Sequence, residues 1–276
     1  MSNPHFTGMM RSLSLLPEVE AILLAGSRAI NTNDHLSDYD VYVYVTAEIP
    51  LAVRKAIADK YCSYMEVNNQ YWETEDDGVL NDGTEIELIY RDLDWLDGEL
   101  ERTLFQHQAS TGYTTCFWSN LINSEILYDP KGKAKTLQEK FAIHYPAELK
   151  NNIITKNYPL LSQKMPAYRK QIQKALKRGD VISINHRIAE FLASYFDILF
   201  AVNEYPHPGE KRLIDIAKSK CQKLPVSFEQ NMSNLIKHVG TCNDDILVVI
   251  DQTINNLNAV LKEEGFLVTS KIESAF

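Results

Sequence analysis

The chain has 276 residues, 45% of them apolar and 24% charged, which is ample for one large packed core or two ordinary ones. Its formal net charge of −9 argues against a polynucleotide partner, because such binding draws on phosphate neutralisation by Lys and Arg. No apolar run approaches the roughly 20 residues of a membrane span. The start, Met1-Ser2-Asn3-Pro4-His5-Phe6, lacks a basic region followed by an apolar stretch, so no secretory signal is expected. Cys62, Cys116, Cys221 and Cys242 are scattered without a Cys-x-x-Cys pair, which fits reduced thiols in a cytoplasmic protein.

The first helix is expected over residues 6–16, ended by Pro17. The apolar run Ala21-Ile22-Leu23-Leu24-Ala25 reads as a strand and leads directly into Gly26-Ser27. Glycine lets the backbone approach a ligand closely, and the amide N–H groups of such a turn cradle phosphate oxygens, with the Ser27 hydroxyl as a further donor. After a short helix comes Ser37-Asp38-Tyr39-Asp40-Val41-Tyr42-Val43-Tyr44-Val45, whose β-branched and aromatic residues predict a strand over 39–45. Side chains two apart on a strand share a face, so Asp38 and Asp40 project together while Tyr39, Val41 and Val43 face a core. Two carboxylates side by side repel each other, and a divalent cation such as Mg²⁺ removes the repulsion. The competing reading is a surface turn, Asp34-His35-Leu36-Ser37-Asp38, whose acids cap and solvate; it leaves Asp40 unexplained.

Gly26-Ser27 followed eleven residues later by Asp38-Tyr39-Asp40 resembles the nucleotidyltransferase superfamily that includes polymerase beta and the kanamycin and lincosamide nucleotidyltransferases. The resemblance is specific over roughly residues 20–92. It implies that Asp38 and Asp40 hold metal, that the turn of Gly26 and Ser27 grips the triphosphate, and that a third carboxylate stands on a neighbouring strand. Gly83-Thr84-Glu85-Ile86-Glu87-Leu88-Ile89-Tyr90-Arg91, entered through the turn Asn81-Asp82-Gly83, is the candidate strand. Glu87, flanked by apolar residues, is the first choice and Glu85 the fallback. A glutamate here resembles the aminoglycoside-modifying branch, where this residue also serves as general base. The implied reaction uses two Mg²⁺ ions and a nucleoside triphosphate, ATP first among them, and moves a nucleoside monophosphate to a small hydroxylated acceptor. An acidic surface attracts cationic acceptors such as an aminoglycoside. A non-catalytic or protein-modifying module of the same fold, an antitoxin or regulator acting on a partner protein, is the alternative.

Between these strands, helical spacing covers 51–62, and residues 64–71 form a further candidate strand. Glu73-Thr74-Glu75-Asp76-Asp77-Gly78 reads as a polar, acidic loop. Helical spacing returns at 93–105, and Ser124 to Asp129 reads as a last short strand. Helical spacing covers 137–143, and beyond residue 145 the chain is expected to be almost wholly helical, over 149–161, 167–178, 181–203, 213–218, 228–238 and 244–264. Gly179 ends one helix and Asp180 caps the next. Ile182, Ile184, Ile188, Phe191, Leu192, Tyr195, Ile198 and Leu199 form a band expected to be buried. The expected fold class is thus α+β: a small catalytic domain with a mixed sheet over 1–144, then an all-helical bundle over 145–276. Such an arrangement matches the kanamycin-type enzymes, in which the bundle helps form the acceptor pocket; a pocket completed in a homodimer also occurs in relatives.

In the bundle, Asn203-Glu204-Tyr205-Pro206-His207-Pro208-Gly209-Glu210-Lys211 resembles a pattern in the helical domain of uncharacterised nucleotidyltransferase relatives. Its prolines and glycine would hold Lys211 as a point charge for the triphosphate; the bland reading is a loop lysine in solvent. Glu190 lies four residues after His186, on the same helix face. The pair either lines the acceptor pocket, with Glu190 taking the acceptor's proton, or forms hydrogen-bonded core partners. Arg28 and Arg91 flank the presumed site, as phosphate contacts or as ion pairs.

Overall fold

A computed structural model describes residues 3–29 and 37–266. Asp34, His35 and Leu36 of the competing surface turn lie outside the described residues. The chain runs α1 (Pro4–Leu13), β1 (Val19–Leu24), one-turn α2 (Gly26–Ala29), β2 (Tyr39–Val45), α3 (Leu51–Tyr61), β3 (Cys62–Asn69), β4 (Glu75–Leu80), β5 (Glu85–Arg91), α4 (Leu93–Leu104), α5 (Cys116–Asn123), β6 (Glu125–Tyr128) and α6 (Lys133–Lys140). Helices α7 (Ala147–Ser162), α8 (Tyr168–Lys177), α9 (Val181–Val202), α10 (Leu213–Lys220), α11 (Phe228–His238) and α12 (Asp245–Glu263) follow. α1 stops at Leu13, with Ser14 as its C-cap, so the helix ends before Pro17 rather than at it. A mixed sheet followed by helices is the expected fold class, and it is what the structure shows.

Two compact units emerge, one of Met1–Glu101 with Phe117–Ile143, the other of Arg102–Cys116 with His144–Phe276. Arg102–Cys116, within the residues expected to form the first domain, groups with the helical unit.

Among the described residues of the first unit six strands form one sheet, in the order β3-β4-β5-β2-β1-β6. Only β2 and β5 run parallel; every other neighbouring pair is antiparallel. One face closes a core in which Met9 and Leu13 of α1 meet Ile22, Val41, Val43, Ile86 and Leu88. Val41 and Val43 are fully buried, as the period-2 pattern of β2 requires. The expected acidic loop at 73–78 is instead largely β4, held by ladders to β3 on one side and β5 on the other. Pairing on both edges overrides the low strand propensity of Glu75, Asp76 and Asp77.

Within the second unit α9 packs against α7 and α8, and α11 against α12. The core gathers Ile154, Ile172, Phe191, Tyr195, Leu199, Phe200 and Leu257, among others. Ile182 is a correction: it is 67% exposed, beside an exposed Val181, and the apolar band of α9 is covered only from Ile184 onward. Helical periodicity identifies a face, not the point along the helix where its neighbours begin.

Candidate active site

Register places the acids of the first unit. Asp40 on β2 stands beside Glu87 on parallel β5. Glu87 is opposite Asp77 on β4, and Asp77 is opposite Glu66 on β3. Residues directly opposite share a face, so four carboxylates cross four strands in one row. Glu75, two residues before Asp77, joins the same face; oxygens of Glu75, Asp77 and Glu87 lie within 4.8 Å of one another. Like charges in this arrangement disfavour the sheet unless protons or a cation intervene.

Electrostatics register the crowding. Burial, then the neighbouring Asp40 charge, pushes the Glu87 carboxyl up to about 7, and Glu75 shares a hydrogen bond with it. Glu75 is raised by burial and by Asp77; Asp77 is raised by burial. Glu85, the fallback for the third acid, is exposed at the outer end of β5, whereas Glu87 is half-buried.

The Gly26-Ser27 turn meets this row. Ala25 N–H donates to the Asp40 carbonyl at 2.8 Å, and Gly26 follows with φ +64°. A Cβ on Gly26 would lie 1.7 Å from Asp40 Oδ2, so only glycine lets the turn press against that carboxylate. Arg28 closes the same corner: its Nε donates to the Asp38 carbonyl at 2.8 Å, a second nitrogen donates to the Ser37 carbonyl, and the guanidinium lies 4.1 Å from the Tyr39 ring centre. It therefore fixes the backbone that carries Asp38, which is half-buried just before β2. Carboxylates are ligands that suit Mg²⁺, one or two of them beside substrate phosphates; among the described residues the three whose oxygens converge are Glu75, Asp77 and Glu87 rather than Asp38, Asp40 and Glu87.

Arg91, four residues beyond Glu87 on the same face, takes the ion-pair alternative, as the buried partner of Glu73. It donates to Glu73 and lies against the rings of Tyr42, Phe117 and Trp95, at 4.4, 5.1 and 5.6 Å.

Glu190 and Lys211 belong to the second unit. Both are exposed, as is His186, so the His186–Glu190 pair is not a core pair. The loop before Lys211 is tied down: His207 N–H donates to Thr115 Oγ1 at 2.7 Å and Gly209 N–H donates to His207 Nδ1 at 3.2 Å. His207 is wholly buried against the rings of Tyr113 and Phe200, and burial lowers its pKa to about 4.

Sequence reasoning missed two features. Glu75 and Asp77 disappeared into a supposed loop, although Asn81-Asp82-Gly83 is a hairpin signal and a hairpin needs a strand before its turn as well as after it. The other is Asp197, 1% exposed in α9. It accepts from Thr114 N–H (3.0 Å), Thr114 Oγ1 (2.7 Å) and Asn157 Nδ2 (3.2 Å), and burial raises it to about 7. An aspartate inside Tyr195-Phe196-Asp197-Ile198-Leu199 was the available signal.

A family model described as a domain of unknown function, DUF4037, matches residues 116–212. No curated protein matches the chain. Among solved structures, the chain is similar to a nucleotidyltransferase-like protein from Exiguobacterium sibiricum, with 11% identity and a TM-score of 0.40 over 92% of this chain and 72% of that one. An aminoglycoside 6-adenyltransferase from Bacillus subtilis is 9% identical, with a TM-score of 0.34 over 99% and 95% of the two chains. The Thermotoga maritima CCA-adding enzyme is 10% identical, with a TM-score of 0.28 over 98% and 89%.

Proposed function

We propose that the protein is a Mg²⁺-dependent nucleotidyltransferase that moves a nucleoside monophosphate from a triphosphate, ATP first, to the hydroxyl of a small acceptor. The observation that carries this reading is the meeting of Asp40 and Glu87, side by side on parallel strands, with a Gly26 turn that no larger residue could form. In this reading the acceptor oxygen attacks the α-phosphorus, the bond to the bridging oxygen breaks, and pyrophosphate leaves with the electron pair. Bound Mg²⁺ supplies charge neutralisation at the phosphates and lowers the pKa of the attacking hydroxyl. Asp38, Asp40 and Glu87 hold the metal, Gly26 and Ser27 receive the phosphates, and Arg28 keeps Asp38 in position. Glu87, whose carboxyl is raised to about 7, is also the first candidate to take the acceptor's proton. An amino-sugar or lincosamide-like antibiotic is the acceptor class that best suits the acidic chain.

Calorimetric titration with non-hydrolysable ATP, GTP, CTP and UTP analogues, with and without Mg²⁺, tests the reading. Metal-dependent binding of one analogue, lost in Asp40→Asn, is the expected result. Full binding or full turnover by Asp40→Asn would sink it.

A further inference from the structure

Among the described residues β3 is an outer strand of the sheet, paired with β4 on one side only. An open strand edge presents backbone N–H and C=O groups, which natural sheets cover, shorten or charge. Beside it, α3 and β3 enclose a groove of about 550 Å³ lined by Leu51, Ala52, Lys55, Asp59, Met65 and Val67, among others. α3 turns Arg54 and Ala58 inward and leaves Leu51, Ala52, Lys55, Ala56 and Asp59 exposed on its outer stripe. A solvated helix face ordinarily carries polar groups; here three of the five are apolar, and two are alanines small enough for another helix to approach.

Lys55 and Asp59 stand one helical turn apart on that stripe. Neither makes an ion pair or hydrogen bond among the described residues, whereas Lys135 and Glu139, at the same spacing on α6, approach to 3.8 Å. Aspartate is one methylene shorter than the glutamate of the α6 pair, which has the same orientation, so both charges of the α3 pair stay available.

We propose that this edge is the interface of a two-fold symmetric homodimer. β3 pairs antiparallel with β3 of a second copy, and α3 lies antiparallel to the second α3. A two-fold contact is isologous, so if Lys55 faces the second copy's Asp59, Asp59 faces the second copy's Lys55. That self-complementarity selects a second copy over a charged peptide, which would satisfy one of the two groups and oppose the other. Leu51, Met65 and Val67 are covered in the same step, and the open edge disappears.

Sedimentation velocity of the full chain over a concentration series reads the association directly. The expected result is a dimer that dissociates on dilution. Lys55→Glu and Asp59→Lys should each weaken it about tenfold, since symmetry turns both attractive contacts into like-charge ones. K55E/D59K should return to within about threefold of wild type, because the exchanged pair is complementary again. Both side chains are exposed, and a circular dichroism melt of each variant confirms folding. A monomer at every concentration overturns the proposal, as does a dimer indifferent to both single reversals. A monomer that binds an extended peptide along β3 would assign the edge to strand addition and overturn it too.

Discussion

Glu75, Asp76 and Asp77 are consecutive on β4, yet the two faces of the sheet treat them differently. On the core side Asp76 receives Arg54 through Nη2 at 2.5 Å and Nε at 2.9 Å, the Tyr90 hydroxyl at 2.8 Å and Asn68 N–H at 2.7 Å. Arg54 in turn lies 4.1 Å from the Tyr90 ring centre. Every oxygen has donors. On the other side Glu75, Asp77, Glu87 and Asp40 stand among acids, and the hydrogen bond between Glu75 and Glu87 needs a proton that one of them keeps. A buried carboxylate met by a guanidinium is complete within the fold, whereas a bank of carboxylates is relieved by something arriving. Charge alone does not mark a binding face; carboxylates crowded against one another do, even though Asp77 accepts from Asn69 Nδ2 at 2.9 Å.

The sharpest way to break this contrast is Arg54→Ala, which strands Asp76. It should cost about 3–5 kcal/mol, seen as a fall in the urea midpoint with unchanged slope. A loss below about 1 kcal/mol would mean that the core-side acid is not held by its donors. Gly26→Ala comes next. The positive φ and the displaced Asp40 should cost about 1–2 kcal/mol in a thermal melt while removing metal-dependent nucleotide binding by calorimetry. Retained affinity would detach the turn from the site.

Glu87→Gln should have the smallest effect on stability, and in the opposite direction. The folded carboxyl holds its proton up to about 7, against an ordinary value of 4.5. The wild type therefore loses stability as pH rises from about 4.5 to 7, where the unfolded chain ionises first. Glutamine lacks that loss, so its advantage should grow through the same window and level off above pH 7. It should reach about 1 kcal/mol, below the full linkage value because the carboxyl is only half-buried. Denaturant titrations at pH 5 and pH 8 check it; an equal difference at both would mean that Glu87 ionises normally.

Much of this is legible in the amino-acid sequence. β2 and β5 announced themselves through period-2 patterns of β-branched and aromatic residues, and helix boundaries such as α11 followed apolar spacing closely. β4 was hidden because its residues are chosen for what they hold rather than for strand propensity; its neighbours, not its composition, make it a strand. The pairing of Asp40 with Glu87 is a matter of register, which no local pattern specifies across an intervening forty-odd residues. Asp197 and its donors come from three separate stretches of chain, so their meeting is a tertiary fact throughout. Ile182 shows the same limit in reverse, since apolar spacing continued past the point where its cover ends.

Arg102–Cys116 gives the molecule an indivisible character. The chain leaves the sheet unit after Glu101, joins the helical unit, returns at Phe117 and leaves again after Ile143. Within the helical unit that segment supplies Thr114 to Asp197, while Gly112 N–H donates to Asn157 Oδ1 at 3.1 Å. A scission near residue 143 would release an N-terminal fragment trailing a segment stripped of its acceptors. Its C-terminal counterpart would bury Asp197 without the threonine that satisfies it, a loss on the order of several kcal/mol. A gene encoding this protein cannot exchange its helical half at a single junction: the insert and its receptor have to travel together, so chimaeras joined at one seam should fail where those that also exchange residues 102–116 fold.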